Sequence, residues 1–308
     1  MGKRFNPATT RARHVAQTGS VALAVVLTAM FAGCAADPAT PSTNTSAPQG
    51  SPELQSLSHD ALEATLAASA QKNLVPGALA LITTPEGSVF ASYGTTALGE
   101  TREPLASDVF RIGSVTKTMV AAVVLQQVGE QKLALTDPIS QFVPGVPNGE
   151  NITIADLLQM RSGLHNYLDT DGFASVFNAD MTHVWTPEQL VEFGIGYPSG
   201  GTPGETFDYS NTNTTLLGLV AEQLDDKRLR DILHDRLFEP LGMADTERPD
   251  GTSLTLPDPM VQGYQYGVFP INHQPLLSAE EQAAAVAGTL QPKWSPFRAL
   301  PGRGQPVA

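Results

Sequence analysis

The distribution of apolar side chains divides the 308-residue chain into stretches of different character. Residues 21–32 form an apolar run, and residues 35–52 carry almost no large apolar side chain. Periodic patterns begin at Ser51. Ser51-Pro52-Glu53 has the form of a helix start, with a cap and then proline at the first helical position. Leu54, Leu57, Ala61, Leu62 and Leu66 follow at helical spacing. Pro76-Gly77 breaks that pattern. Residues 78–83 and 88–93 then predict two strands, joined through Thr84-Pro-Glu-Gly87 as a hairpin. Met119 to Val128 is strongly apolar and predicts a helix buried at the centre of a domain. Thr153 and Thr186-Pro187-Glu188 look like further caps. Helical runs are predicted at 216–224, 229–237 and 279–286, and Ser278 with Glu281 gives the last a capping-box pattern. Strands are scarce between Ser114 and Gly267, which predicts a mostly helical subdomain inserted into a sheet domain. No internal repeat is visible.

The ends read differently from this body. Lys3, Arg4, Arg11 and Arg13 precede the apolar run, which is shorter than the roughly 20 apolar residues of a spanning helix. It ends at Phe31-Ala-Gly-Cys34, which resembles a bacterial lipobox, although leucine is more usual where Met30 or Phe31 stands. Residues 1–33 are therefore expected to be a lipoprotein signal peptide. Cys34 is the chain's single cysteine, so no internal disulfide can form. A lone cysteine in an exported protein is either a core residue or a lipid attachment point, and its place after a small-residue cleavage site points to lipidation. Cleavage there would leave 275 residues. The Pro/Ser/Thr-rich residues 34–52 cannot bury enough surface to offset their ordering entropy, so they predict a flexible tether. Together these features predict a protein exported and lipid-anchored through Cys34 to the outer face of a bacterial cytoplasmic membrane. Residues 53–291 form the expected domain, and 292–308, rich in Pro, Arg and Gly without strand or helix period, an irregular tail.

Charge and composition narrow the partners. The chain carries a net charge of −13, and −17 once the four basic residues of the leader are removed. That balance argues against nucleic-acid binding, which needs a basic face. It also gives no long-range attraction for an anionic substrate, whose carboxylate local groups would have to hold. Hydrophobic residues make up 41% of the chain, ordinary for a globular domain. The six histidines are scattered, with no His-Glu-x-x-His and no cysteine partners, so no metal site and no cofactor are expected. His165 is either a cleft residue or an exposed loop histidine, and Asp208 either tunes its neighbour Tyr209 or is a solvated loop carboxylate.

The candidate chemistry starts at Ser114-Val-Thr-Lys117. A serine three residues ahead of a lysine at a helix start shares one helical face with it. A serine hydroxyl needs a neighbour able to take its proton, and a lysine serves once burial or neighbouring cations favour its neutral form. Alone, the same spacing also describes a helix cap beside a solvated lysine, although a lysine at the head of a buried helix is unusual. The second piece is Tyr209-Ser-Asn211, after a Gly/Pro-rich loop and before an apolar helical run. A tyrosine facing a nucleophile can act as a base when a cation stabilises the phenolate, and an asparagine two residues on offers a donor and acceptors to a substrate amide. The alternative for Tyr-Ser-Asn is a structural tyrosine with an Asx-type helix cap. No Gly-x-Ser-x-Gly elbow is present, which disfavours a Ser-His-Asp hydrolase.

The two motifs, in this order and about ninety residues apart, resemble those of the serine β-lactamase and penicillin-binding family. The branch holding class C β-lactamases, D-Ala-D-Ala carboxypeptidases and related esterases is the most similar. Leu157-Leu-Gln-Met-Arg-Ser-Gly-Leu164 and Pro240-Leu-Gly-Met243 resemble two further segments of that family, and the likeness spans roughly residues 55–290. It implies an α+β fold, an α/β/α sandwich in which helices flank an antiparallel sheet, with a mostly helical subdomain. It implies Ser114 as nucleophile, Lys117 and Tyr209 sharing proton transfer, and Asn211 orienting the lysine and the substrate. It implies as substrates D-alanyl peptides of the cell wall, β-lactams or small esters.

One feature of that family is missing. Its third motif, His-x-Gly or Lys-Thr-Gly on a late strand, supplies one of two backbone N–H groups of the oxyanion hole, and no such tripeptide follows Tyr209. The expectation is a chain lacking the late strands of the sheet, with out-of-frame translation past Gln291 as a hypothesis that the encoding nucleotide sequence tests. A non-catalytic cell-envelope lipoprotein that binds wall peptides or a protein partner is the rival reading.

Overall fold

A computed structural model describes residues 58–249, 251, 253, 256–266 and 277–294. The expected signal segment, Cys34, the expected tether and residues 295–308 lie outside the described residues, as does the helix start at Ser51-Pro52. The first helix, α1 (His59–Lys72), begins at Ser58, whose side chain accepts from the Ala61 N–H. Asp60 in its first turn and Lys72 in its last both favour the helix dipole.

After Pro76 the chain forms the expected hairpin. β1 (Gly77–Thr84) pairs antiparallel with β2 (Gly87–Gly94), in register from Gly77 opposite Gly94 to Thr84 opposite Gly87. The open end of the hairpin needs its two glycines. A Cβ on Gly94 would lie 2.1 Å from the Pro76 carbonyl oxygen, and one on Gly77 would lie 2.0 Å from that of Thr95. α1 packs across this hairpin, chiefly against β2.

The segment leading to Ser114 is pinned by an ion pair. The side chain of Asp108 is fully buried; it accepts from the Arg102 guanidinium and from the Leu105 N–H. Arg102 also donates to the Met260 carbonyl, and Val109 bridges to Met260 beside it.

The helical body follows: α2 (Thr116–Gly129), α3 (Ile154–Leu158), α4 (Asp171–Ala179), α5 (Pro187–Ile195), α6 (Asn211–Asp225) and α7 (Leu229–Leu233). Thr153 and Thr186 cap α3 and α5 with the reciprocal bonds of a capping box. α2 and α6 pack against each other, and Val120, Val123, Val124, Leu216 and Val220 belong to the main core cluster. A second cluster joins Phe173 and Phe177 of α4 to Tyr167 and to Leu190 of α5. α6 starts five residues before its apolar run because its polar first turns are buried and satisfied. Thr212 Oγ1 donates to the His165 carbonyl, Ser162 Oγ to Asn213 Oδ1, and Thr215 Oγ1 to the Asn211 carbonyl. The run 229–237 is helical, but it changes from α7 to a π turn over His234–Phe238.

β3 (Tyr264–Gln265) pairs antiparallel with β4 (Lys293–Trp294), so two residues of the stretch expected to be irregular form a short ladder. Between them lies α8 (Ala279–Val286), capped by Ser278 in the expected capping box. Eight α-helices and two small antiparallel sheets among the described residues give the α+β architecture. Among the described residues, no strand extends the β1–β2 pair, and no helix is long and apolar enough to cross a membrane.

Candidate active site

Ser114 lies in the 3-10 turn Gly113–Val115 that runs directly into α2. Neither element has a side-chain cap, so Ser114 is not the cap of its own helix. Its hydroxyl instead accepts from two groups. Lys117 Nζ donates to Ser114 Oγ at 3.1 Å, and Tyr209 OH donates to the same oxygen at 2.8 Å. The serine–lysine bond is local and follows from the three-residue spacing. The bond to Tyr209 spans 95 residues and exists because α2 and α6 pack together.

Lys117 is half-buried and makes a second, shorter bond, donating to Asn211 Oδ1 at 2.6 Å. Its nitrogen also lies 4.9 Å from the centre of the Tyr209 ring, within cation–π range. The lysine therefore touches all three of the other residues singled out in the sequence. Asn211 is the first residue of α6 and does not cap it with its own side chain.

Two opposing influences set the Tyr209 phenol. Burial pushes its pKa up, because a phenolate loses hydration. Interaction with Lys117 and Ser114 and the lysine's charge pull it down, and together they win, leaving the phenol below its ordinary value. A phenol that ionises more readily and rests against a serine hydroxyl is suited to take that proton. Tyr167 behaves differently: burial, and secondarily Tyr209, push its phenol well above the ordinary tyrosine value, so it stays protonated.

Residues on the 162–170 segment complete the surroundings. The His165 carbonyl accepts from Ser210 Oγ and Thr212 Oγ1, and its ring stacks on Tyr197 with centroids 5.0 Å apart. Asn166 Oδ1 accepts from both the backbone N–H and the side-chain amide of Asn211. Sequence reading passed over Asn166; an asparagine two residues beyond the Ser-Gly-Leu segment was the available signal. Asp208 is exposed, the solvated alternative. Among the described residues, one group brings three potential metal-ligand atoms within 4.8 Å, namely His234, Asp235 and Glu239. All three are exposed, and Asp235 is already paired with Lys227 and His234.

The family profile described as Beta-lactamase matches residues 62–296. Protein flp of Staphylococcus aureus (strain NCTC 8325 / PS 47) is 30% identical over 186 residues, covering 57% of this chain and 35% of that protein. Thus the matched region spans about a third of the staphylococcal relative. A D-stereospecific amidohydrolase from Streptomyces sp. superposes with a TM-score of 0.65 at 27% identity, over 78% of this chain and 65% of that one. The D-amino acid amidase of Ochrobactrum anthropi SV3, complexed with D-phenylalanine, gives a TM-score of 0.58 at 27% identity, over 70% and 59% of the two chains. One profile runs through the hairpin, the Ser114–Lys117 turn, the Tyr209 loop and the helical body, and the chain belongs to the beta-lactamase family.

Proposed function

We propose that this chain is a serine hydrolase that forms an acyl-enzyme on Ser114. The observation that carries the reading is the convergence of Lys117 Nζ and Tyr209 OH on one hydroxyl oxygen, with Asn211 holding the lysine. In the reaction, Ser114 Oγ attacks an amide or ester carbonyl carbon and forms the new C–O bond. Its proton passes to the Tyr209–Lys117 pair. Tyr209 is the acceptor that the geometry favours, because its phenol is displaced toward ionisation with Lys117 as the neighbouring cation. The same pair returns the proton to the leaving nitrogen or oxygen as that bond breaks. Water then attacks the acyl-enzyme and releases the acid.

The substrates proposed are amides and peptides of D-residues, including D-Ala-D-Ala wall peptides, together with β-lactams and small esters. Two solved neighbours support the D-residue class: a D-stereospecific amidohydrolase and a D-amino acid amidase. Export and lipid attachment at Cys34 belong to the same proposal, since an anchored and tethered domain would reach wall peptides. No cofactor enters the proposed reaction.

The rival reading is a non-catalytic member that binds wall peptides or a protein partner, and it requires no acyl-enzyme on Ser114. Covalent labelling of Ser114 separates the two. Under the hydrolase reading, a fluorescent fluorophosphonate labels the folded protein, and Ser114→Ala abolishes the label. Folded wild-type protein that stays unlabelled would establish the binding protein instead.

A further inference from the structure

Asn166 makes more contacts to the site than its place on a loop foreshadows. Its Oδ1 accepts from the Asn211 N–H at 3.1 Å, from Asn211 Nδ2 at 3.0 Å and from the Leu168 N–H at 3.4 Å. Its Nδ2 donates to Asp169 Oδ2 at 2.9 Å. These contacts allow one orientation of the amide. Turned over, Asn166 would set its own N–H groups against three donors and its oxygen against a carboxylate, which only accepts.

The same logic passes to the next amide. Asn211 Nδ2 is held by the Asn166 oxygen, so Asn211 Oδ1 points the other way, to Lys117 Nζ at 2.6 Å. A hydrogen-bonded chain thus runs from Lys117 through Asn211 and Asn166 to Asp169. A cationic donor stands at one end and an acidic acceptor at the other, and both amides are oriented by what lies at the ends. Within it Asn211 is buried, while Asn166 and Asp169 are half-buried.

We infer that Asn166, backed by Asp169, is a positioning residue that sets the Asn211 amide so that its oxygen faces Lys117. Without Asn166 the Asn211 amide can turn over and present N–H groups to the lysine, which then has no fixed place against Ser114. Asn166 also caps α6 and the 167–169 turn, a structural task that must be told apart from positioning. The inference rests on the hydrolase reading of Ser114 for its consequence in rate, but not for the amide orientation itself.

The test measures fluorophosphonate labelling rates in Asn166→Ala, Asn211→Ala and the double variant, and records the Asn211 side-chain amide resonance by NMR. Misplacing a reacting group by an ångström can cost about 10²-fold, so Asn166→Ala is expected to slow labelling by roughly tenfold to a hundredfold. The double variant should label no more slowly than Asn211→Ala alone, because Asn166 acts through Asn211; a purely structural role would add its own effect. The swapped pair Asn166→Asp with Asp169→Asn keeps an acceptor for Asn211 and a donor between the two positions. It should restore both the rate and the amide resonance, and it covers the case in which the alanine variant fails to fold. Wild-type labelling in Asn166→Ala, additive effects, or an unchanged Asn211 amide resonance would overturn the inference. If the wild-type protein itself does not label, the hydrolase reading falls, and the amide resonance in the swapped and alanine variants still decides whether Asn166 orients Asn211.

Discussion

The helical body and the β-hairpin treat apolar side chains in opposite ways. Across the α2–α6 contact, Val120, Val123, Val124, Leu216 and Val220 are fully enclosed. On β1, Leu81 remains 54% exposed and Ile82 38%. Ser114, Lys117, Tyr209 and Asn211 all rise from the first region, at the heads of α2 and α6. Ser114 and Tyr209 are exposed at its surface, yet the backbone beneath them rests on close-packed core. The contrast teaches where the site's precision resides. Helix packing holds the four groups, and among the described residues the hairpin contributes none of their hydrogen bonds.

The largest expected effect falls at the junction of the two helices. Tyr209→Phe keeps the ring but removes the group proposed to take the proton, and general acid–base catalysis contributes about 10²–10⁴. Its labelling rate should fall by that order. In the wild type, labelling should rise with pH through a midpoint below the ordinary tyrosine value of about 10. The sign follows from the lysine: its positive charge favours the phenolate, so Lys117→Met should move that midpoint upward. A midpoint unmoved by Lys117→Met would break the link between the two helices' residues.

One deletion made in both regions tests the contrast itself. Leu216→Ala removes a side chain with 0% exposure and should cost about 2–5 kcal/mol in denaturant unfolding. Leu81→Ala, from a half-exposed position, should stay within about 0.5 kcal/mol and leave labelling unchanged. Equal losses at the two positions would show that the hairpin is as tightly packed as the helical body.

A smaller effect lies at the far end of the α2–α6 pair. Asp225 accepts from Arg236 and Lys132, and Glu130 from Arg236, tying the C-terminal ends of α2 and α6 to the π turn. At Asp225, burial opposes ionisation, but the bonds from Arg236 and Lys132 outweigh it and hold the carboxyl well below its usual range. A depressed folded-state pKa gives stability that is present above the unfolded value and lost as pH falls toward the folded one. Asp225→Asn should therefore lower stability by about 1–3 kcal/mol at neutral pH, as for hydrogen bonds to charged groups. Thermal unfolding of the two proteins should converge as pH falls through and below the ordinary carboxylate range. A gap that stays constant with pH would remove the ion network from the account.

Much of the local structure was legible in the residues. The hairpin followed from two strand-like runs joined through Thr84-Pro-Glu-Gly87, and the caps at Thr153, Thr186 and Ser278 from the side-chain oxygens that helix starts require. Ser114 and Lys117 followed from spacing, because three residues on a helix bring two side chains to one face whatever surrounds them. These features depend on neighbours within a few residues. The early start of α6, the pitch change at His234 and the part played by Asn166 were not legible. Each depends on groups far along the chain: a buried polar turn is stable only where distant carbonyls and hydroxyls satisfy it, and Asn166 matters only because α6 delivers Asn211 to it. The chain's own periodicity dictates its helices and turns. Which of their polar ends meet is settled by burial summed over the whole α2–α6 core, and no short window of residues contains that sum.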